Sequence, residues 1–139
     1  MLEITQLPKN PYSLGILARY LAGAKPFSEL EFGPTVLSVL HQINDGTHLV
    51  ATRNDRIVGY LGWLRANEDV ARAWLEAGER LAPDPTGDAI AVTIFLADNA
   101  EDILPIFKAA KRAEPGRSVY WKRYFTDGRV PSPRKVKKK

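Results

Sequence analysis

The sequence predicts an α+β domain in which helices cover a mixed sheet. Three observations carry that expectation: two helical segments precede the main strands, a β-branched hairpin turns at Asn54-Asp55, and the later half reads strand, helix, strand with short connections. The last pattern is a βαβ unit, whose strands run parallel and whose crossover is right-handed. A chain of 139 residues, 45% hydrophobic, is enough for one core. Residues 1–130 are therefore read as a single domain and residues 131–139 as a basic, disordered tail.

Residues 11–24 place Leu14, Leu17, Ala18 and Leu21 at helical spacing, with Asn10 as N-cap and Pro11 in the first turn. A second helix is expected to start at Pro34 and to carry Val36, Leu37, Val39, Leu40 and Ile43 until Asp45-Gly46 ends it. Residues 47–53 and 56–65 form the hairpin, because their β-branched and aromatic content rises on either side of a tight-turn pair. Helical spacing returns over residues 67–81, capped by Asn67 and favoured by Glu68 and Asp69 in its first turn. Residues 88–97 contain the dense run Ile90-Ala91-Val92-Thr93-Ile94-Phe95-Leu96, the mark of a strand buried on both faces. A helix over 99–113 and a strand over 117–125 complete the βαβ unit, and Pro105 demands a kink or a helix start nearer Leu104.

Composition narrows the chemistry. The absence of cysteine removes disulfides, thiolate zinc sites and cysteine nucleophiles, and two histidines leave little for a metal. No run of about 18 apolar residues occurs, and the first residues lack the layout of a secretion signal. A soluble, cytoplasmic protein is expected. The net charge is +4, yet residues 134–139 alone hold five positive side chains, so the body is close to neutral. That tail could hold nucleic acid or an acidic partner by sequence-independent attraction, or be a solvated appendage. There is no phosphate-binding loop, dinucleotide fingerprint or serine-nucleophile elbow.

Four motifs occur in order: Val58-Gly59-Tyr60 with Trp63, Thr86-Gly87-Asp88, Pro115-Gly116-Arg117, and Asp127-Gly128-Arg129. Over roughly residues 20–130 this series resembles the RTX-toxin-activating lysine acyltransferases, the HlyC-like activators. The element order likewise resembles the GNAT acyltransferase architecture, a three-layer α/β/α arrangement whose βαβ unit splays to admit an acyl-carrier ligand. The resemblance implies transfer of a fatty acyl group from acyl carrier protein to a lysine amine, with a His and an Asp as the catalytic pair. Lysine is protonated at neutral pH, so a base must free its amine, and a carboxylate would hold the imidazole in the useful tautomer.

At the positions that correspond to this pair the chain carries Phe27 and Ile94, and no His lies between Met1 and Leu40. Substitute bases are His48 at the start of the hairpin, Glu29 (or Glu31) in the loop before the second helix, and Asp88 at the entrance to the central strand. Each has a plainer reading: a strand-edge histidine, a solvated loop carboxylate, a turn cap. His41 reads as a helix-surface histidine.

In acetyl-CoA-dependent GNAT proteins a glycine-rich loop presents backbone N–H groups to the pyrophosphate at a helix N-terminus. Residues 97–102 here, Ala-Asp-Asn-Ala-Glu-Asp, contain no glycine and three acids, so a conventional CoA site is not evident and no cofactor is expected. An acyl carrier protein is acidic, and Lys108, Lys111, Arg112, Arg117, Lys122 and Arg123 form a basic cluster that could dock it or another acidic protein. An ordinary solvated helix face is the competing reading. Tyr120, Trp121, Tyr124 and Phe125 interleave with the last two cations as in a single-strand nucleic-acid platform, or pack in the core by strand alternation. Trp63 and Trp74 are expected to pack against the hairpin and the third helix.

Two functions follow. One is an acyltransferase-fold enzyme that moves an acyl group from a carrier to an amine with a base outside the family pair. The alternative is a catalytically inactive relative that binds a protein, or less readily nucleic acid, through its basic helix and tail.

Overall fold

The computed structural model describes residues 1–123 and 132–136. Among the described residues, six strands form one sheet in sequence order: β1 (Glu3–Thr5), β2 (His48–Arg53), β3 (Arg56–Ala66), β4 (Ala89–Ala97), β5 (Ser118–Arg123) and β6 (Ser132–Val136). Only β4 and β5 are parallel, as the βαβ reading requires, and every other neighbouring pair is antiparallel. The helices are α1 (Pro11–Ala22), α2 (Phe32–Asp45), α3 (Glu68–Ala77) and α4 (Ile103–Ala113). None of them is long and apolar enough to cross a membrane.

Local chemistry explains the boundaries. The Asn10 side chain accepts from the Ser13 N–H, and Pro11 occupies the first turn of α1, where its missing N–H removes no bond. Asn67 accepts from Asp69 N–H while Asp88 accepts from Glu68 N–H, so two donors of the first turn of α3 are satisfied by side chains. Asn54 and Asp55 both adopt positive φ, 54° and 63°, the conformation of the type I′ turn that suits a twisted hairpin. A short 3-10 turn, Ala100–Asp102, leads into α4. Pro105 therefore falls in the first helical turn rather than kinking an established helix.

Some boundaries differ from the sequence reading. Helix α2 begins at Phe32, which leaves Pro34 inside its first turn, and α3 stops at Ala77 because Gly78 adopts a left-handed conformation. Strand β1 was not foreseen, being only three residues long. The basic segment read as a disordered tail contributes β6, with Val136 opposite Val119 and Ser132 opposite Arg123. The aromatic residues Tyr124 and Phe125, the Asp127-Gly128-Arg129 motif and the last three lysines lie outside the described residues.

Three apolar clusters hold the layers together. Ile106, Phe107 and Ala110 of α4 pack on Leu49, Ala51, Leu61, Trp63, Ile90, Val92 and Val119. On the opposite face, Leu17 and Leu21 of α1 and Val39 and Ile43 of α2 cover Val50, Tyr60 and Ile94. Farther along that face, Ala71 and Leu75 of α3 cover Ala66, Ala89 and Tyr120. Trp63 accordingly sits under α4, not under α3 as expected, with its indole N–H donating to Glu114 at 2.8 Å. Close approach uses glycine, once between sheet and helix and once where the chain enters β4. A Cβ at Gly59 would lie 2.7 Å from Ile106 Cδ1, and one at Gly87 would overlap the Ala66 carbonyl.

Candidate functional site

The register of β4 contains the feature on which the site is built. Gly62 pairs with Ile94 and Trp63 with Val92, so Thr93 is an extra residue opposite no partner, a β-bulge. A bulge resets the alternation of side chains. Ile90 and Val92 face α4, whereas beyond the bulge Ile94 faces α1 and α2. At the same place the parallel pairing ends. Strand β4 pairs with β5 from Ala89↔Ser118 to Val92↔Trp121 and then runs on to Ala97 without it.

A cleft of about 530 Å³ opens beside the bulge, and its lining includes Ser38, His41, Gln42, Asp45, Arg65 and Thr93. His41 and Asp45 are exposed residues one helical turn apart on α2, so their side chains share a face. Beneath them lies a polar network. The buried Tyr60 hydroxyl donates to Gln42 Oε1, and Gln42 Nε2 donates to Thr93 Oγ1 at 2.9 Å. Burial pushes the Tyr60 phenol pKa far up, so it remains a donor throughout the physiological range. A second apolar pocket of about 250 Å³ lies between α1 and α2, lined by residues that include Leu21, Phe27 and Val39.

The residues singled out from the sequence are not brought together. His48 is 1% exposed and both ring nitrogens are engaged: Nδ1–H donates to the Gln42 carbonyl and Nε2 accepts from the Leu7 N–H. Its pKa is lowered, chiefly by desolvation, and its ring stacks on Tyr60. Glu29 is exposed and pairs with Lys25 at 3.3 Å. Asp88 caps α3. None of the three lines the cleft. Phe27 and Ile94, which the resemblance in sequence aligns with the activators' catalytic pair, both pack in the apolar cluster between α1, α2 and the sheet.

The basic cluster divides. Lys108, Lys111, Arg112 and Arg117 line a shallow concavity at the C-terminal end of α4. Arg117 also bonds inward, donating to Glu114 Oε1 at 3.1 Å and to the Gly87 carbonyl at 2.9 Å. Lys122 lies 4.5 Å above the Trp74 ring on α3, across the sheet from α4. The side chain of Arg123 is outside the described residues.

The sequence does not single out Thr93, Gln42 and Tyr60 as a group; His41 is the exposed helix residue that the sequence predicts, and it lines the cleft. One signal was present: Thr93 is the only polar residue in an otherwise apolar doubly buried run.

A mixed sheet with a bulged central strand that parts from its parallel neighbour, covered by helices on both faces, is the GNAT acyltransferase fold. Solved structures agree. GphF, a GNAT-like decarboxylase in complex with isobutyryl-CoA, is 21% identical with a TM-score of 0.64, covering 91% of this chain and 67% of its own. An acetyltransferase of the GNAT family from Streptococcus agalactiae is 11% identical with a TM-score of 0.59, covering 88% and 76%. The polyamine N-acetyltransferase of Drosophila melanogaster is 12% identical with a TM-score of 0.58, covering 96% and 94%. At these identities the likeness is one of fold. No family model and no curated protein matches the chain.

The residues that would face a CoA pyrophosphate do not suit it. The start of α4 is preceded by Glu101 and by Asp102, whose carboxylate is bound by Arg53 at 3.0 Å. That contact with Arg53 holds the Asp102 pKa below the usual carboxylate range, so the charge persists at neutral pH. Asp98 follows the last residue of β4 and accepts from the Tyr20 hydroxyl. Two exposed carboxylates, Asp98 and Glu101, and no glycine occupy the turn where a pyrophosphate needs bare N–H groups, while Asp102 is buried against Arg53.

Proposed function

We propose that the protein is an acyltransferase of the toxin-activator type, moving an acyl group from an acyl carrier protein thioester to a lysine amine of a protein. The observation that carries this reading is the coincidence of the Thr93 bulge, the end of β4–β5 pairing and the cleft lined by His41 and Asp45. A thioester entering where the strands part would place its carbonyl at the bulge, with the acceptor amine reaching it from the cleft. The amine attacks the carbonyl carbon, a C–N bond forms and the C–S bond breaks. The ammonium proton passes to the base, and the departing thiolate is protonated as a thiol.

His41 is the base in this proposal, because an imidazole can accept a proton near neutral pH and no other histidine lines the cleft. Asp45 would orient it. Carrier protein rather than CoA is favoured as donor by the acidic turn before α4. Lys108, Lys111 and Arg112 are the cations available to hold an acidic carrier.

The test is native mass spectrometry of the full chain with long-chain acyl carrier protein and a lysine-containing acceptor. A complex and amide-linked acyl groups are expected, with transfer greatly reduced in His41→Asn. The second reading, a binding module without turnover, is favoured by the apolar packing of Phe27 and Ile94. Carrier binding without transfer at any pH would select it, and neither binding nor transfer would remove the carrier-dependent reading altogether.

A further inference from the structure

The Gln42 side chain has its orientation imposed from one side only. The Tyr60 phenol donates to Oε1, which requires Nε2 to face Thr93, and there it donates to Oγ1 at 2.9 Å. A hydroxyl carries one proton and two lone pairs. Because Thr93 Oγ1 accepts from Gln42, its own proton must go elsewhere, and among the described residues no protein acceptor takes it. Thr93 is half-buried and lines the cleft. The rest of the network is closed: Gln42 is 5% exposed, Tyr60 is fully buried, and His48 stacks on Tyr60 while binding the Gln42 carbonyl. Space for the amide exists only because residue 62 is glycine, since a Cβ there would collide with Gln42 Oε1.

We propose that Thr93 is a catalytic residue whose hydroxyl donates to the acyl carbonyl oxygen, and that Gln42 and Tyr60 are positioning residues that aim it. This rests on the acyltransfer reading. As the amine attacks, negative charge grows on that oxygen, and a donor already oriented stabilises it without reorganising. The hydroxyl loses no proton and forms no bond to carbon. It contributes at the bulge itself, where the extra residue puts Oγ1 on the same face as the cleft.

The experiment uses the full chain with decanoyl-pantetheine carrying a 13C carbonyl, read by isotope-edited infrared difference spectroscopy, alongside turnover with acyl carrier protein. A donated hydrogen bond lowers the carbonyl stretching frequency. The wild type should show a lowered band that returns to its position in water-free solvent in Thr93→Val and stays lowered in Thr93→Ser. Turnover should fall about 100-fold in Thr93→Val with KM little changed, and recover most of that loss in Thr93→Ser. Tyr60→Phe should broaden the band and lower kcat by a smaller factor, a change that loss of packing alone would not produce in the spectrum. A bound thioester whose band and turnover are the same in wild type and Thr93→Val overturns this assignment and leaves acyl transfer standing. A bound thioester with a Thr93-dependent band but no turnover supports the donor and removes the transferase. A thioester that does not bind removes both.

Discussion

Glu114 offers the sharpest test of how the layers are joined. It follows α4, is 2% exposed, and accepts from Trp63 Nε1 at 2.8 Å, Arg65 Nε at 2.8 Å and Arg117 Nη1 at 3.1 Å. One carboxylate thus ties the end of α4 to β3 and to the start of β5. In Glu114→Ala the buried indole N–H loses its acceptor, costing about 1–3 kcal/mol. The two guanidiniums retain 35% and 27% side-chain exposure, so water recovers part of their loss. The sum comes to about 3–4 kcal/mol, near the low end for removing one member of a buried ion pair. Glu114→Gln keeps an acceptor for Trp63 and nearly the same volume, so about 1–2 kcal/mol is expected from the lost charge. Urea unfolding followed by tryptophan fluorescence and by circular dichroism measures both, with the denaturant slope unchanged. An alanine variant within about 1 kcal/mol of wild type, or a glutamine variant as damaged as alanine, would refute the assignment.

Three further outcomes follow from the same contacts. Gly62→Ala should destabilise the domain by about 1–3 kcal/mol through overpacking, and should shift the Gln42 side-chain amide signals in a 15N NMR spectrum; unchanged signals would show that Gln42 is not wedged there. Because His48 titrates lower in the folded protein than its ordinary 6.5, the unfolded chain binds the proton first. Stability should be complete above pH 6.5 and decline as pH falls toward the lowered value; thermal melts across that range should lose this slope in His48→Asn. Asp102 also titrates below its ordinary 3.8, mainly through its hydrogen bond from Arg53. Its contribution is present above 3.8 and vanishes as pH falls through the lowered value, so Asp102→Asn should flatten the most acidic part of a pH–stability curve, and an unaltered curve would deny the pair a role.

Local signals made most of the fold legible. Asn10 and Asn67 announce helix starts, Asn54-Asp55 announces a hairpin, and the apolar run after Asp88 announces a central strand, because each acts through neighbours in sequence. Residues whose role depends on pairing partners were not legible. A bulge is a property of two strands, so the extra residue at Thr93 leaves no local mark except a hydroxyl among aliphatic side chains. The shift it imposes carries Ile94 to the face opposite Val92, which alternation read from the sequence alone would not place correctly. Strand β6 escaped for a related reason: Ser132 to Val136 is rich in charge and contains a proline, and it becomes a strand only where β5 offers an edge. The basic cluster was legible as composition and in part as a surface, since Lys108, Lys111, Arg112 and Arg117 share one concavity while Lys122 lies across the sheet.

The polar network under α2 has a physical logic that an all-apolar interface would lack. Burying Tyr60, Gln42 and His48 between a helix and a sheet is costly unless each group finds a partner. Tyr60 donates to Gln42, Gln42 donates to Thr93, and both nitrogens of His48 are bonded to backbone groups. The chain of hydrogen bonds has one direction: Tyr60 gives its proton to Gln42 Oε1, which leaves Gln42 Nε2 to donate to Thr93. The direction ends at Thr93, the residue that the bulge turns toward the cleft. Replacing the set by aliphatic side chains could preserve the packing between α2 and β3, but it would leave the threonine proton with no imposed direction. The arrangement therefore ends its buried polar chain on a hydroxyl at the point where β4 leaves β5.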